Sequence, residues 1–94
     1  MKKEVEQAKS SLKAYPNPFT DHVNFELQLQ TDSKVRLEIY NISGAKLATI
    51  FDDIVLAYDR YQFEYTPEVM SSGMLIYRLI INEQIAFTGK LIHK

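Results

Sequence analysis

The side chains that could do chemistry in this 94-residue chain are few and scattered. Its two histidines, His22 and His93, lie near opposite ends, without the short spacing of a metal-binding pair. Asp52, Asp53 and Asp59 could offer oxygen ligands to a hard cation, but they lack the dense ligand spacing and the glycine turn of a calcium loop. The sequence therefore predicts no metal site.

Nucleophilic catalysis has equally little support. Ser71 and Ser72 precede Gly73, but no Gly-x-Ser-x-Gly turn is present, and no histidine stands in a local motif that would activate either hydroxyl. Cysteine is absent, which excludes thiolate nucleophiles, thiolate metal ligands and disulfides. The sequence therefore predicts no catalytic residues and no cofactor.

Composition indicates one small folded domain. Hydrophobic residues make up 46% of the sequence and charged residues 24%, as in ordinary globular proteins. With 11 basic and 12 acidic residues the net charge is −1, so no overall field attracts nucleic acid or an anionic membrane. No stretch reaches the roughly 18 apolar residues of a membrane span. We therefore expect neither a nucleic-acid partner nor membrane insertion.

The elements that position these side chains follow a period of two. In most of them apolar and polar residues alternate, which is typical of strands with one buried and one solvated face. One run, residues 74–81, is apolar on nearly both faces, as in a central strand. The pattern predicts an all-β fold, an antiparallel, immunoglobulin-like β-sandwich of about seven strands. The candidate strands are a short piece before Pro16 and residues 23–29, 35–39, 47–51, 61–65, 74–81 and 84–92.

Polar and glycine-containing stretches predict the connections. Thr31-Asp32-Ser33 predicts a hairpin between the first two alternating strands. Asn41-Ile42-Ser43-Gly44 predicts a second tight turn, in which Gly44 takes a positive φ. Asn82-Glu83 predicts the turn into the last strand. Residues 52–59 and 68–73 predict longer connections, the second ending at the structural glycine Gly73.

The run Tyr15-Pro16-Asn17-Pro18-Phe19 predicts a rigid corner before the first alternating strand. Each proline restricts its own φ and also the residue before it, so the two aromatic rings are held in place, and the local pattern favours a sheet-edge corner that both rings plug. Most other aromatic residues are in phase with the apolar faces of their strands. Tyr15, Phe19 and Tyr58 lie outside the strands and are candidates for a contact surface.

Four segments, taken in order, carry a resemblance to a known family. The chain resembles the C-terminal sorting domain, type A, of the type IX secretion system (Por secretion system) of Bacteroidetes. No single segment is specific, but the four together, ending at the C-terminus, are a strong signal. They are Tyr15-Pro16-Asn17-Pro18-Phe19, Leu37 to Gly44, Ser72 to Leu79, and Gly89-Lys90-Leu91-Ile92-His93-Lys94.

The resemblance implies a function in protein transport. Such a domain directs a covalently attached N-terminal cargo through the outer membrane, by way of the periplasm, to the cell surface or the medium. The implied partners are the type IX translocon and a surface sortase-like peptidase, so the chain would be a substrate and not an enzyme. We expect residues 14–94 to form the domain and residues 1–13 to be a linker or an added segment, in or before which the peptidase cuts. Because residues 1–13 lack the apolar centre of a signal peptide, export requires a signal on a longer precursor.

Gly89, Lys90, Leu91, Ile92, His93 and Lys94 are the predicted site of translocon recognition. A terminal strand can offer edge backbone groups together with patterned side chains, and the lysines add positive charge. In the alternative interpretation, Leu91 and Ile92 complete the core and the lysines keep the edge soluble. A different function also stays open, namely a fibronectin-like accessory module that binds glycan or stabilises a neighbouring catalytic domain.

Overall fold

The computed structural model describes residues 10–68 and 73–94, and within these ranges all regular structure is β-strand. The predicted all-β fold is therefore confirmed. The strands are β1 (Ser11–Tyr15), β2 (Val23–Gln28), β3 (Ser33–Asn41), β4 (Lys46–Val55), β5 (Arg60–Tyr65), β6 (Gly73–Ile81) and β7 (Gln84–His93).

The strands form two antiparallel sheets that pack face to face as an immunoglobulin-like sandwich. One sheet has the order β1-β2-β5 and the other β4-β3-β6-β7. The inward residues of both sheets form one core, because period-two strands turn every second side chain toward the opposite sheet. The fully buried core residues are Phe19, Val23, Phe25, Leu27, Leu29, Val35, Leu37, Ile39, Val55, Leu79 and Leu91.

The predicted hairpin between β2 and β3 is wrong. β2 pairs with β1 and β5, whereas β3 pairs with β4 and β6 in the other sheet. Each strand has one apolar face, and placing the two strands in opposite sheets turns these faces toward a common core. The connection is tied to the turn before β5, since Tyr58 N donates to Leu29 O (2.8 Å) and Ala57 N donates to an Asp32 carboxylate oxygen (2.8 Å).

The predicted loop over residues 52–59 is also shorter than expected, because β4 continues to Val55. Asp52 pairs with Arg36 and Asp53 with Val35. β4 is the edge strand of its sheet, so polar side chains stay hydrated while the backbone pairs with β3. Two register shifts leave Ile50 and Leu47 of β4 without a partner on β3, and these extra residues interrupt the period-two pattern of β4.

The two predicted local turns are present. Gly44 has a φ of 96° in the β3–β4 turn, and the side-chain oxygen of Asn41 accepts hydrogen bonds from the backbone of Ser43 and Ala45. In the β6–β7 turn Asn82 and Glu83 both have positive φ, 51° and 67°, as a two-residue hairpin of the favoured twist requires. β6 lies between β3 and β7, which confirms the predicted central strand.

The chain enters the sandwich at Ser11, the first residue of β1. Residues 11–13 fall within the predicted linker, yet they pair with residues 26–28 of β2. Residues 1–9 of that linker and residues 69–72 of the predicted connection before β6 lie outside the described residues. Gly73 opens β6 with a φ of 130°.

Candidate recognition site

The predicted recognition residues occupy the second half of β7 and the residue after it. β7 is an edge strand, hydrogen-bonded to β6 alone among the named strands. Successive side chains of a strand point to opposite faces, so the six residues divide into two sets. Gly89, Leu91 and His93 face the sandwich interior, and Lys90, Ile92 and Lys94 face outward.

The inward set is structural. Leu91 is completely buried in the core. Gly89 lies directly opposite Tyr77, and a Cβ at this position would overlap the Tyr77 ring. That ring in turn packs edge to face on Phe25, with centroids 5.4 Å apart. Gly89 therefore provides the space that an aromatic side chain of the core occupies.

His93 closes the same end of the core. Its ring lies 5.2 Å from the Phe19 ring, and its Nε2 is 3.1 Å from the carbonyl oxygen of Thr20. Its side chain thus contacts the segment that precedes β2. The contact explains this histidine as a packing residue rather than a ligand.

The free edge of β7 is covered by residues 17–19, which we call the latch. The Asn17 side chain engages two alternate residues of β7, since Nδ2 donates to Lys90 O (2.8 Å) and Oδ1 accepts from Ile92 N (2.9 Å). The backbone continues the pairing, because Phe19 N donates to Ile92 O (2.8 Å) and Lys94 N donates to Phe19 O (2.9 Å). The latch therefore satisfies the backbone groups that an edge strand otherwise exposes.

Phe19 anchors the latch in the core, where it is 1% exposed. Of the two interpretations of Phe19, the plug of the corner is therefore confirmed and the contact surface is wrong, because burying an aromatic ring is more favourable than leaving it in solvent. Tyr15 and Tyr58 are 41% and 56% exposed. The Tyr15 hydroxyl donates to Glu26, and this hydrogen bond is the main cause that lowers the pKa of the Glu26 carboxyl.

The outward set is accessible. Ile92 is 43% exposed, and Lys90 and Lys94 are also exposed. Within residues 10–68 and 73–94 neither lysine forms an ion pair. The second half of β7 thus presents one isoleucine and two uncompensated positive charges on a backbone held from both sides, by β6 and by the latch.

A polar cluster on the outer face of the same sheet surrounds the buried carboxylate of Glu38. Glu38 is 2% exposed and accepts hydrogen bonds from Tyr40 OH (2.6 Å), Arg36 Nε (2.9 Å) and Lys46 Nζ (3.3 Å). Burial alone would raise the pKa of Glu38, but these donors outweigh it and hold the pKa below its ordinary value of 4.5. Arg78 stacks on the Tyr40 ring at 4.6 Å. The cluster therefore satisfies the buried Glu38 carboxylate, while Arg78 contacts an aromatic ring and forms no ion pair within the described residues.

Residues 15–19 and residues 89–94 are separate elements in the sequence, whereas the structure brings them together. The role of Asn17 was not predicted, because its contacts span 73 and 75 residues of sequence. The available signal was an asparagine held between two prolines, because a rigidly placed amide can bond a strand edge at two points. No group of three side chains able to hold a metal ion occurs within the described ranges.

Fold and site together define a small β-sandwich module whose last strand is fixed by the segment leading into β2. The family model of the secretion system C-terminal sorting domain matches residues 13–94, and the chain belongs to this family. It is therefore a C-terminal sorting signal for type IX secretion. Members of this family are sorting signals rather than catalysts.

The crystal structure of dimeric latent PorU from Porphyromonas gingivalis contains a similar domain, with a TM-score of 0.71 at 16% identity. The similarity covers 89% of this chain and 9% of the PorU chain, and at this identity it concerns the fold alone. Comparison with curated protein sequences gives no match. Across residues 10–68 and 73–94 no helix is long and apolar enough to cross a membrane.

Proposed function

We propose that the type IX translocon recognises this domain through residues 89–94, that the domain carries an N-terminal cargo covalently attached, and that the chain is a substrate and not an enzyme. The cargo passes through the periplasm and reaches the cell surface or the medium. A sortase-like surface peptidase then cuts in or before residues 1–13, on the N-terminal side of the strand β1, whose pairing with β2 begins at Ser11.

The latch is the observation that supports this role for residues 89–94. A translocon that accepts unrelated cargoes needs a feature that is the same in every cargo-bound molecule. Asn17 and Phe19 fix the backbone of Lys90, Ile92 and Lys94 at four hydrogen bonds, two made by the Asn17 side chain and two by the Phe19 backbone, and none of these bonds involves a residue that precedes the domain. Preorganised side chains lose less conformational entropy on binding.

A fusion experiment tests the proposal. The full chain is placed behind a reporter that carries its own export signal, in a bacterium with a working type IX system. We expect the reporter at the cell surface or in the medium, and we expect removal of residues 90–94 to leave it in the periplasm. If the truncated fusion were delivered at full efficiency, recognition through this segment would be wrong.

Mass spectrometry of the delivered reporter tests the cleavage step. A new C-terminus in or before residues 1–13 is the expected result. If residues 15–94 remained attached on most delivered molecules, the domain would instead be a retained accessory module. A periplasmic reporter that was already cut would contradict the proposed order, in which passage precedes cleavage.

A further inference from the structure

Three apolar side chains adjoin one another on the outer face of the four-stranded sheet, at the latched end of β7. Met74 of β6 is directly opposite Ile92, and Ile76, two residues further along β6, is opposite Lys90. Ile76 is also opposite Tyr40, which alternates with the core residue Ile39. Opposed residues in antiparallel strands share a face, so all of these side chains point away from the core. We call Met74, Ile76 and Ile92 the apolar strip.

The apolar strip is partly accessible and is flanked by lysines. Ile92 is 43% exposed, while Met74 and Ile76 are half-buried. Lys90 lies beside Ile76, and Lys94 follows Ile92 by two residues, on the same side of the chain. Neither lysine has an ionic partner within the described ranges.

Two other cationic side chains on this sheet face do have ionic partners. Arg36 and Lys46 both pair with Glu38, at 2.9 and 3.3 Å, and Arg36 also lies 3.6 Å from Glu83. Arg36 and Lys46 thus have ionic partners, whereas Lys90 and Lys94 beside the apolar strip, like Arg78 in the middle of the sheet, have none within the described residues. An apolar centre with a charged margin is the arrangement of a protein–protein interface.

We propose that the apolar strip with Lys90 and Lys94 is a docking surface for a protein of the secretion machinery that presents apolar side chains flanked by carboxylates. This inference rests on the proposed function and specifies which atoms the partner contacts. The latch already bonds the edge backbone at Lys90 O, Ile92 N, Ile92 O and Lys94 N, so a partner of the folded domain meets side chains rather than a free strand edge.

The charge of the two lysines favours one of three possible partners of this docking surface. A second copy of this chain would bring lysines against lysines, and like charges facing each other across an interface oppose association. An anionic membrane surface is bound by clusters of about four to eight basic residues, whereas two lysines, Lys90 and Lys94, flank the apolar strip. A protein surface with carboxylates matches both the two charges and the apolar area between them.

Glutamate substitutions in the same fusion assay test the docking surface. Ile92→Glu and the double substitution Lys90→Glu with Lys94→Glu should each lower surface delivery by about tenfold or more, because each places carboxylate opposite carboxylate. Ile85→Glu is the matched control, since Ile85 lies on the same strand and the same face and is 60% exposed, but beside Ile80 at the other end. Lys34→Glu is the control for reversing the charge of an exposed lysine on a different strand. Both controls should stay within about twofold of the unsubstituted chain.

Folding and charge are checked separately. Thermal unfolding of each purified full chain verifies the fold, and the lysine variants keep the test valid should Ile92→Glu unfold, because both lysines are exposed. Lys90→Arg with Lys94→Arg should retain delivery, since it keeps the charges.

If folded Ile92→Glu and the lysine double variant were delivered normally while removal of residues 90–94 blocked delivery, the docking surface would be wrong and the proposed function would stand. Normal delivery of the truncated chain as well would overturn both.

Discussion

The two halves of β7 belong to one continuous strand and yet have opposite surroundings. In residues 89–94 the inward side chains are packed, and the latch covers the edge. In residues 84–88 every residue is exposed, including Ile85 at 60% and Phe87 at 41%. Both halves pair with β6, so pairing alone does not explain the difference. The backbone of a strand is fixed where a second segment is hydrogen-bonded to its other edge. In β7 that segment is the latch, which lies more than 70 residues earlier in the sequence.

The largest expected effect comes from removing the anchor of the latch. Phe19→Ala deletes a fully buried ring and should lower the free energy of unfolding by about 3–5 kcal/mol. Phe87→Ala, in the other half of β7, removes the same ring where it is 41% exposed and should cost clearly less. Urea unfolding of both variants measures the difference. Equal losses would mean that the two halves of β7 are equally packed.

The next effect concerns the space at Gly89. Gly89→Ala places a methyl group against the Tyr77 ring and should destabilise the domain by about 1–3 kcal/mol. Thr88→Ala, an adjacent exposed position, should change stability by no more than about 0.5 kcal/mol. In a Tyr77→Leu background the cost of Gly89→Ala should fall, because the ring is gone. An unchanged cost in that background would show that Gly89 serves another purpose.

A smaller effect isolates the latch hydrogen bonds. Asn17→Ala removes both side-chain bonds to β7 and should cost about 1–2 kcal/mol. Amide hydrogen exchange should accelerate at Ile92 more than at Leu79 in the core. Asn17→Asp keeps the acceptor for Ile92 N and loses the donor to Lys90 O, so we expect an intermediate effect. Asn24→Ala on β2 is the matched control. Unchanged exchange at Ile92 in Asn17→Ala would show that the edge does not depend on this amide.

The smallest expected effect is the pH dependence of stability caused by Glu38, which lies away from the latch. The pKa of Glu38 is held below 4.5 in the folded domain, so its contribution to stability is present above that pH and is lost as the pH falls through the lowered value. Glu38→Gln should therefore flatten the acid limb of the stability curve. Because Glu38 lies on β3, away from the latch, its protonation should weaken both halves of β7 alike. If lowering the pH accelerated hydrogen exchange at the Ile92 amide alone in the unsubstituted chain, this expectation would be wrong.

Local signals in the sequence predicted much of the fold. Alternation located β2, the middle of β3, β5 and β6, and the turns at Asn41 and Asn82 correctly joined neighbouring strands. The β2–β3 hairpin failed because turn chemistry at Thr31 and Asp32 is the same whether the chain pairs with itself or crosses to the opposite sheet. β4 was cut short because edge strands tolerate polar residues that the alternation rule assigns to loops.

The candidate site, like the fold, was only partly predicted from the sequence. The importance of residues 15–19 and 89–94 came from their resemblance to a family, and the family model covers both. Their mutual contact had no local signal, since Asn17 is 73 residues from Lys90. Nor did any pattern show that Phe19 is a core residue, because a single aromatic outside an alternating strand has no phase from which burial can be inferred.

The sequence by itself determined that the chain is an all-β sandwich, which residues of its regular strands face the core, where the tight turns lie, and to which family the chain belongs. These properties follow from periodicity, backbone restrictions and short motifs, all of which act over a few residues. Only the tertiary structure decided which strands share a sheet, that Asn17 and Phe19 hold the edge of β7, and that Lys90, Ile92 and Lys94 are the side chains left outward. Those outcomes depend on contacts between residues that are far apart in the sequence. The packing of the whole core sets the geometry of these contacts.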